Sequence, residues 1–91
     1  MNTHLVNYDL LKPGQSYTTL ITRLTQLGAK RILLSTWMVK GEYTCEALRD
    51  DLKAYMDAND RLFVADITNN RVAWSGTLLT DVMAAKLVVT T

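Results

Sequence analysis

Tyr8-Asp9 closes the first apolar stretch of the chain, and Leu11-Lys12-Pro13-Gly14-Gln15 follows almost at once. A carboxylate where a strand hands over to a helix can hold a divalent metal. Magnesium is the natural ion, because it takes oxygen ligands and keeps several waters. A second copy of the chain would double the carboxylates, so one aspartate per subunit can serve phosphodiester chemistry. Asp9 is therefore the candidate catalytic and metal-binding residue. Alternatively, Asp9 accepts backbone hydrogen bonds from the Pro13-Gly14 turn. A second group suits nucleotides rather than metals. Lys30, Arg31, Lys40 and Arg71 flank strand ends beside Trp37 and Trp74. Cations pair with phosphates and aromatic rings stack on bases. Tyr8, Arg31, Ser35, Trp37, Lys40 and Arg71 form the candidate ligand-binding set, with Ser35 as a phosphate contact. The alternative is solvated strand ends, core tryptophans, a core Tyr8 whose hydroxyl needs a partner, and a Ser35 that only breaks a strand. His4 has no second histidine to complete a metal site.

The elements that must position these residues follow from periodicity. His4 to Leu10 alternates as a strand, with Val6, Tyr8 and Leu10 facing one way and Leu5, Asn7 and Asp9 the other. Pro13-Gly14 breaks it, and a helix begins near Gln15 or Ser16. Tyr17, Leu20, Ile21, Leu24 and Leu27 give that helix one apolar stripe, and Gly28 caps it. Lys30 to Lys40 is extended, either as two short strands broken at Ser35-Thr36 or as one kinked strand. Thr44 is an N-cap, with Glu46 in the first turn of a second helix. Cys45, Leu48, Leu52, Tyr55 and Met56 form its inward stripe, and Cys45, Met38, Met56 and Met83 read as core fillers. Arg61 to Ile67 is a strand, and Asn69-Asn70 turns the chain so that Arg71-Val72-Ala73-Trp74 returns as its antiparallel partner. In the apolar tail 77–91, Asp81 to Val88 is a short helix or, alternatively, the tail adds a strand to the partner subunit. The order β, α, β, β, α, β predicts an α+β sandwich with two helices on one face of a mainly antiparallel sheet. The ferredoxin-like arrangement is the simplest match.

Bulk properties bound the function. Ninety-one residues make one domain, 1–91. An apolar fraction of 48% exceeds what one small sheet and one helical layer would use. This points to a homodimer that buries sheet faces between subunits. A net charge of +1 argues against broad duplex DNA binding, though a nucleotide needs only a few charges. The single cysteine excludes an internal disulfide and a cysteine-rich zinc site, and fits a cytoplasmic location. No signal peptide is expected, and no stretch approaches a membrane span.

Tyr8-Asp9-Leu10, a helix ending at Leu27-Gly28, Ser35-Thr36-Trp37, a helix with Leu48 and Leu52, and then Asp60-Arg61-Leu62-Phe63-Val64 follow one another in this order. In these motifs, over about the first three-quarters of its length, the chain resembles the Cas2-like superfamily of small dimeric proteins, which includes the VapD-like toxins. The resemblance implies a ferredoxin-like homodimer. In some Cas2 proteins the aspartate ending the first strand binds a divalent metal for phosphodiester cleavage, and Asp9 is the matching position. In others the dimer is structural and binds DNA in an adaptation complex. Two departures stand out. Leu11-Lys12-Pro13-Gly14-Gln15 replaces the usual basic cluster, and Leu33-Leu34 stands where a glutamine precedes the serine. The expectation is a non-catalytic dimer that binds nucleic acid (RNA or DNA) or a small nucleotide at the subunit interface. The alternatives are a metal-dependent nuclease using Asp9 and an antitoxin or phage-encoded protein-interaction module.

Overall fold

A computed structural model describes residues 2–10, 17–76 and 78. Among the described residues six elements succeed one another: β1 (Asn2–Asp9), α1 (Tyr17–Gln26), β2 (Lys30–Leu33), β3 (Thr36–Gly41), α2 (Cys45–Lys53) and β4 (Arg61–Asp66). The strands form one antiparallel sheet in the order β2-β3-β1-β4. Each helix therefore joins two strands that have a third between them. Among the described residues, no helix is long and apolar enough to cross a membrane. The Pro13-Gly14 turn, Met83 and most of the tail, for which the sequence raised expectations, lie outside the described residues.

Register sorts the sheet into two faces. Val6 lies opposite Trp37 and Val64, and Tyr8 opposite Leu62. These residues share a core with Leu20 and Leu24 of α1 and Leu48 and Leu52 of α2, so both helices cover this face. Leu5, Asn7 and Asp9 point the other way, with Met38, Thr36, Phe63 and Arg61 as their cross-strand neighbours. Ile32 and Met38 start a smaller core there, joined by Leu5, Ile67, Val72 and Leu78.

Local chemistry accounts for the helix ends. The Thr44 side chain accepts from Ala47 N at 3.0 Å, which satisfies one free donor at the start of α2. At the end of α1, Gly28 N donates to Thr25 O and Ala29 N to Leu24 O, both at 3.0 Å. This paired closure needs a left-handed residue, and Gly28 sits at φ +77°. Nothing lies within 4 Å of a Cβ added at Gly28, so Gly28→Ala costs backbone strain alone. A loss of about 1–2 kcal/mol is expected, read from urea unfolding, with Gly28→Asn losing less. The threonines of α1 are held by their own turn: Thr22 Oγ1 donates to Thr18 O and Thr25 Oγ1 to Ile21 O.

One ion pair locks the helices together. Arg23 Nε donates to Asp51 Oδ1 at 2.8 Å and Arg23 Nη2 to Asp51 Oδ2 at 2.6 Å. The guanidinium also lies 5.6 Å from the centre of the Tyr55 ring. The hydrogen bonds from Arg23, more than its charge, hold the Asp51 carboxyl below its usual range, against a smaller opposing effect of burial. A lowered folded-state value means that this stabilisation is full above the ordinary carboxylate range. It is lost as pH falls below about 4 and through the folded value. Urea midpoints measured from pH 6 to pH 2 should therefore fall less steeply for Asp51→Asn than for the wild type.

The expected hairpin after β4 does not form. Arg71-Val72-Ala73-Trp74 is not a strand. A turn forms one residue earlier than expected, centred on Thr68-Asn69 rather than Asn69-Asn70: Asn70 N donates to Ile67 O, and Asn69 takes φ 62°. It is the only non-glycine residue with positive φ among those described. The two-residue hairpin turn favoured by Asn needs positive φ at both central positions, and Thr68 does not supply it. Thr68 is engaged elsewhere. Its Oγ1 accepts from Thr3 N at 2.8 Å, and its own N–H donates to Asp66 Oδ1 at 2.9 Å. The chain instead brings Val72 and Leu78 against Ile32 and Met38, covering apolar surface that a strand beside β4 would leave bare.

Candidate ligand-binding face

The candidate residues divide between the two sides of the sheet. Tyr8 and Trp37 lie in the helix-side core, with Trp37 only 5% exposed. Trp37 Nε1 donates to the Tyr8 hydroxyl at 3.1 Å, which is the partner a buried tyrosine requires. Tyr8→Phe would leave the indole N–H buried without an acceptor. A stability loss of about 1–3 kcal/mol is expected in urea unfolding.

Arg31 and Ser35 serve the β2–β3 connection. Arg31 donates to the Leu34 carbonyl from Nε (3.0 Å) and Nη2 (2.8 Å), and its guanidinium sits 5.3 Å from the Trp37 ring centre. The Ser35 carbonyl accepts from Tyr8 N at 3.2 Å. Leu34 and Ser35 make the turn between β2 and β3, so this stretch is two short strands rather than one kinked strand. Lys40 is half-buried opposite Thr3, on the face away from the helices, and Arg71 is exposed beyond the turn. Cys45, expected in the core, is half-buried at the start of α2. His4 is fully buried on the helix side, and neither ring nitrogen bonds to a protein group among the described residues.

Asp9 ends β1 on the face away from the helices. Its carboxylate is 66% exposed and lies 3.7 Å from Arg61 Nη1. Among the described residues, no three His, Cys, Asp or Glu side chains gather as metal ligands. Asp9 thus offers one carboxylate with a cation beside it. With magnesium, the remaining oxygen ligands beside that carboxylate would be waters, substrate phosphates or groups of a second copy.

What the open face does gather was not singled out by residue type. Phe63 pairs with Asn7 and Arg61 with Asp9 across β1 and β4. Phe63 is 64% exposed, an unusual position for a phenylalanine on a sheet. These four residues, with Tyr8 and Leu62, line a shallow cleft of about 320 Å³. Asn7 also borders a second groove of about 370 Å³, whose walls include Leu5, Ile32, Met38 and Trp74. Thr36 lies at the same end of that groove and donates from Oγ1 to Asn7 Oδ1 at 3.3 Å. The signal for Phe63 was the two-residue period. It shares a parity with Arg61, opposite to that of Leu62 and Val64, so a run that looks like one apolar centre presents a ring to solvent.

The arrangement joins a solvent-facing aromatic ring, a cation, a carboxylate and an amide along one strip of sheet. Such a strip can stack a flat ring, attract a phosphate and hydrogen-bond a polar edge. No family model matches the chain, and no solved structure matches it.

Proposed function

We propose that the chain is a ferredoxin-like domain of the Cas2-like kind, which acts as a homodimer and binds nucleic acid or a small nucleotide without cleaving it. The strip Arg61-Phe63 on β4 beside Asn7 and Asp9 on β1 is the ligand contact. The observation that carries this reading is Phe63, exposed on the open sheet face two residues from Arg61. Stacking on the ring is tolerant of base identity, and Arg61 supplies the phosphate partner. The strand order β2-β3-β1-β4, with each helix crossing over one intervening strand, supports the ferredoxin-like assignment. Leu33 and Trp74, which line the groove on the open face, are large apolar side chains left exposed. Their exposure supports burial of the open face between two copies, with the ligand in the cleft between them.

Asp9 has a supporting part in this reading. Its carboxylate holds Arg61 at 3.7 Å and gives way to a phosphate. The test incubates the full chain with single-stranded RNA, duplex DNA and a nucleotide panel, with magnesium or with EDTA, and compares Asp9→Asn. The expected result is saturable binding without cleavage, unchanged by EDTA and as tight or tighter in Asp9→Asn. Light scattering should give twice the chain mass. Cleavage that needs both magnesium and Asp9 would establish a nuclease instead. Absence of any nucleic-acid or nucleotide binding would leave a protein-interaction role.

A further inference from the structure

We propose that the groove beside the strip is a base pocket: it takes the flat ring of one nucleobase, whose polar edge Asn7 and Thr36 read. This rests on the nucleotide reading of the open face and narrows it to a ligand with an inserted base. The groove volume of about 370 Å³ falls among small-ligand sites, which run from roughly 300 to 1,000 Å³. None of its described lining residues is charged, which suits a neutral part of the ligand and leaves the phosphate outside. Leu5, Ile32 and Met38 give an apolar bed on the sheet side, with the Met38 thioether suited to a ring face. Trp74, 46% exposed, offers an indole at the border of the groove.

The polar lining separates a base from a plain hydrocarbon. Thr36 is 92% buried, and its hydroxyl donates to Asn7 Oδ1. Oδ1 keeps one lone pair, and the two N–H donors of Asn7 Nδ2 have no protein partner among the described residues. The groove thus presents a donor beside an acceptor, the pattern that an amide side chain matches to a base edge. A hydrocarbon there would strip water from both groups and return no hydrogen bond. Asn7 also lines the neighbouring cleft, so a base seated against it directs its sugar and phosphate towards Phe63 and Arg61.

The test titrates the full chain with adenosine, guanosine, cytidine, uridine, their 5′-monophosphates and ribose 5-phosphate, by calorimetry and tryptophan fluorescence. Trp37 is buried on the far side of the sheet, so quenching by a bound base reports Trp74. At least one nucleoside should bind and quench. Thr36→Val, which removes the hydroxyl at nearly constant volume, should weaken it about tenfold. Val72→Phe, which narrows the groove, should weaken it at least as much, with thermal melts confirming that both variants fold. Arg61→Ala should weaken the monophosphate far more than the nucleoside. Nucleotide binding that depends on Phe63 and Arg61 while nucleosides fail to bind overturns the base pocket and leaves the nucleotide reading standing. Nucleoside binding indifferent to Thr36→Val and Val72→Phe overturns the pocket as well. If neither nucleosides nor nucleotides bind, the base pocket falls, and oligonucleotide binding alone decides the nucleic-acid reading.

Discussion

Leu48→Ala lowers the free energy of unfolding by about 2–5 kcal/mol. Leu48 is fully buried where α2 meets the helix-side face of the sheet, in the cluster that holds Leu20, Leu24, Leu52 and Val6. Its removal forfeits transfer energy and opens a cavity that residues fixed on two helices and a sheet cannot close. A small domain has about 5–15 kcal/mol in all, and ninety-one residues bury a thin core, so the variant should stand near its unfolding threshold at 37 °C. Urea unfolding followed by far-ultraviolet circular dichroism measures the loss. Leu34→Ala is the matched control. Leu34 is 73% exposed, and its loss should change stability by no more than about 0.5 kcal/mol. Equal effects at the two positions would contradict the assignment of the helix-side face as the core.

Phe63→Ala has the opposite profile, with little change in stability and a large change in binding. The ring is mostly in solvent, so little packing is lost with it. As a stacking platform it contributes about 1–3 kcal/mol per base, and 1.4 kcal/mol is tenfold in affinity. The variant should therefore bind a single-stranded oligonucleotide about tenfold more weakly or worse. Its melting temperature should stay close to that of the wild type. A fall in stability with affinity unchanged would make Phe63 a packing residue and remove the support for the strip.

The elements were legible in the chain because local chemistry and burial agree there. Gly28 closes α1 in the left-handed conformation that glycine tolerates, and Thr44 caps α2 as its hydroxyl and position suggest. Leu20, Leu24, Leu48 and Leu52 follow the helical period and are all fully buried. The reading failed where a local signal met a tertiary demand. Asn69-Asn70 suggests a hairpin, yet Thr68 is tied to Thr3 and Asp66, and Val72 covers the apolar patch around Met38. The site was less legible than the fold, since residue types alone do not say which face they occupy. Tyr8 and Trp37 suit a ligand by type, but they hydrogen-bond each other in the core. Phe63 suits a core by type, but its parity along β4 turns it to the open face beside Asn7. The Asn7–Thr36 contact across two strands depends on register, which no local pattern encodes.

The most direct measurement is fluorescence anisotropy of a labelled single-stranded oligonucleotide, titrated in EDTA with the wild-type chain and with Phe63→Ala at equal helicity. Saturable binding by the wild type, weakened about tenfold or more in the variant, is the expected result. Wild-type protein that does not bind, or a variant that binds equally well, would contradict the open sheet face as a nucleotide-binding surface.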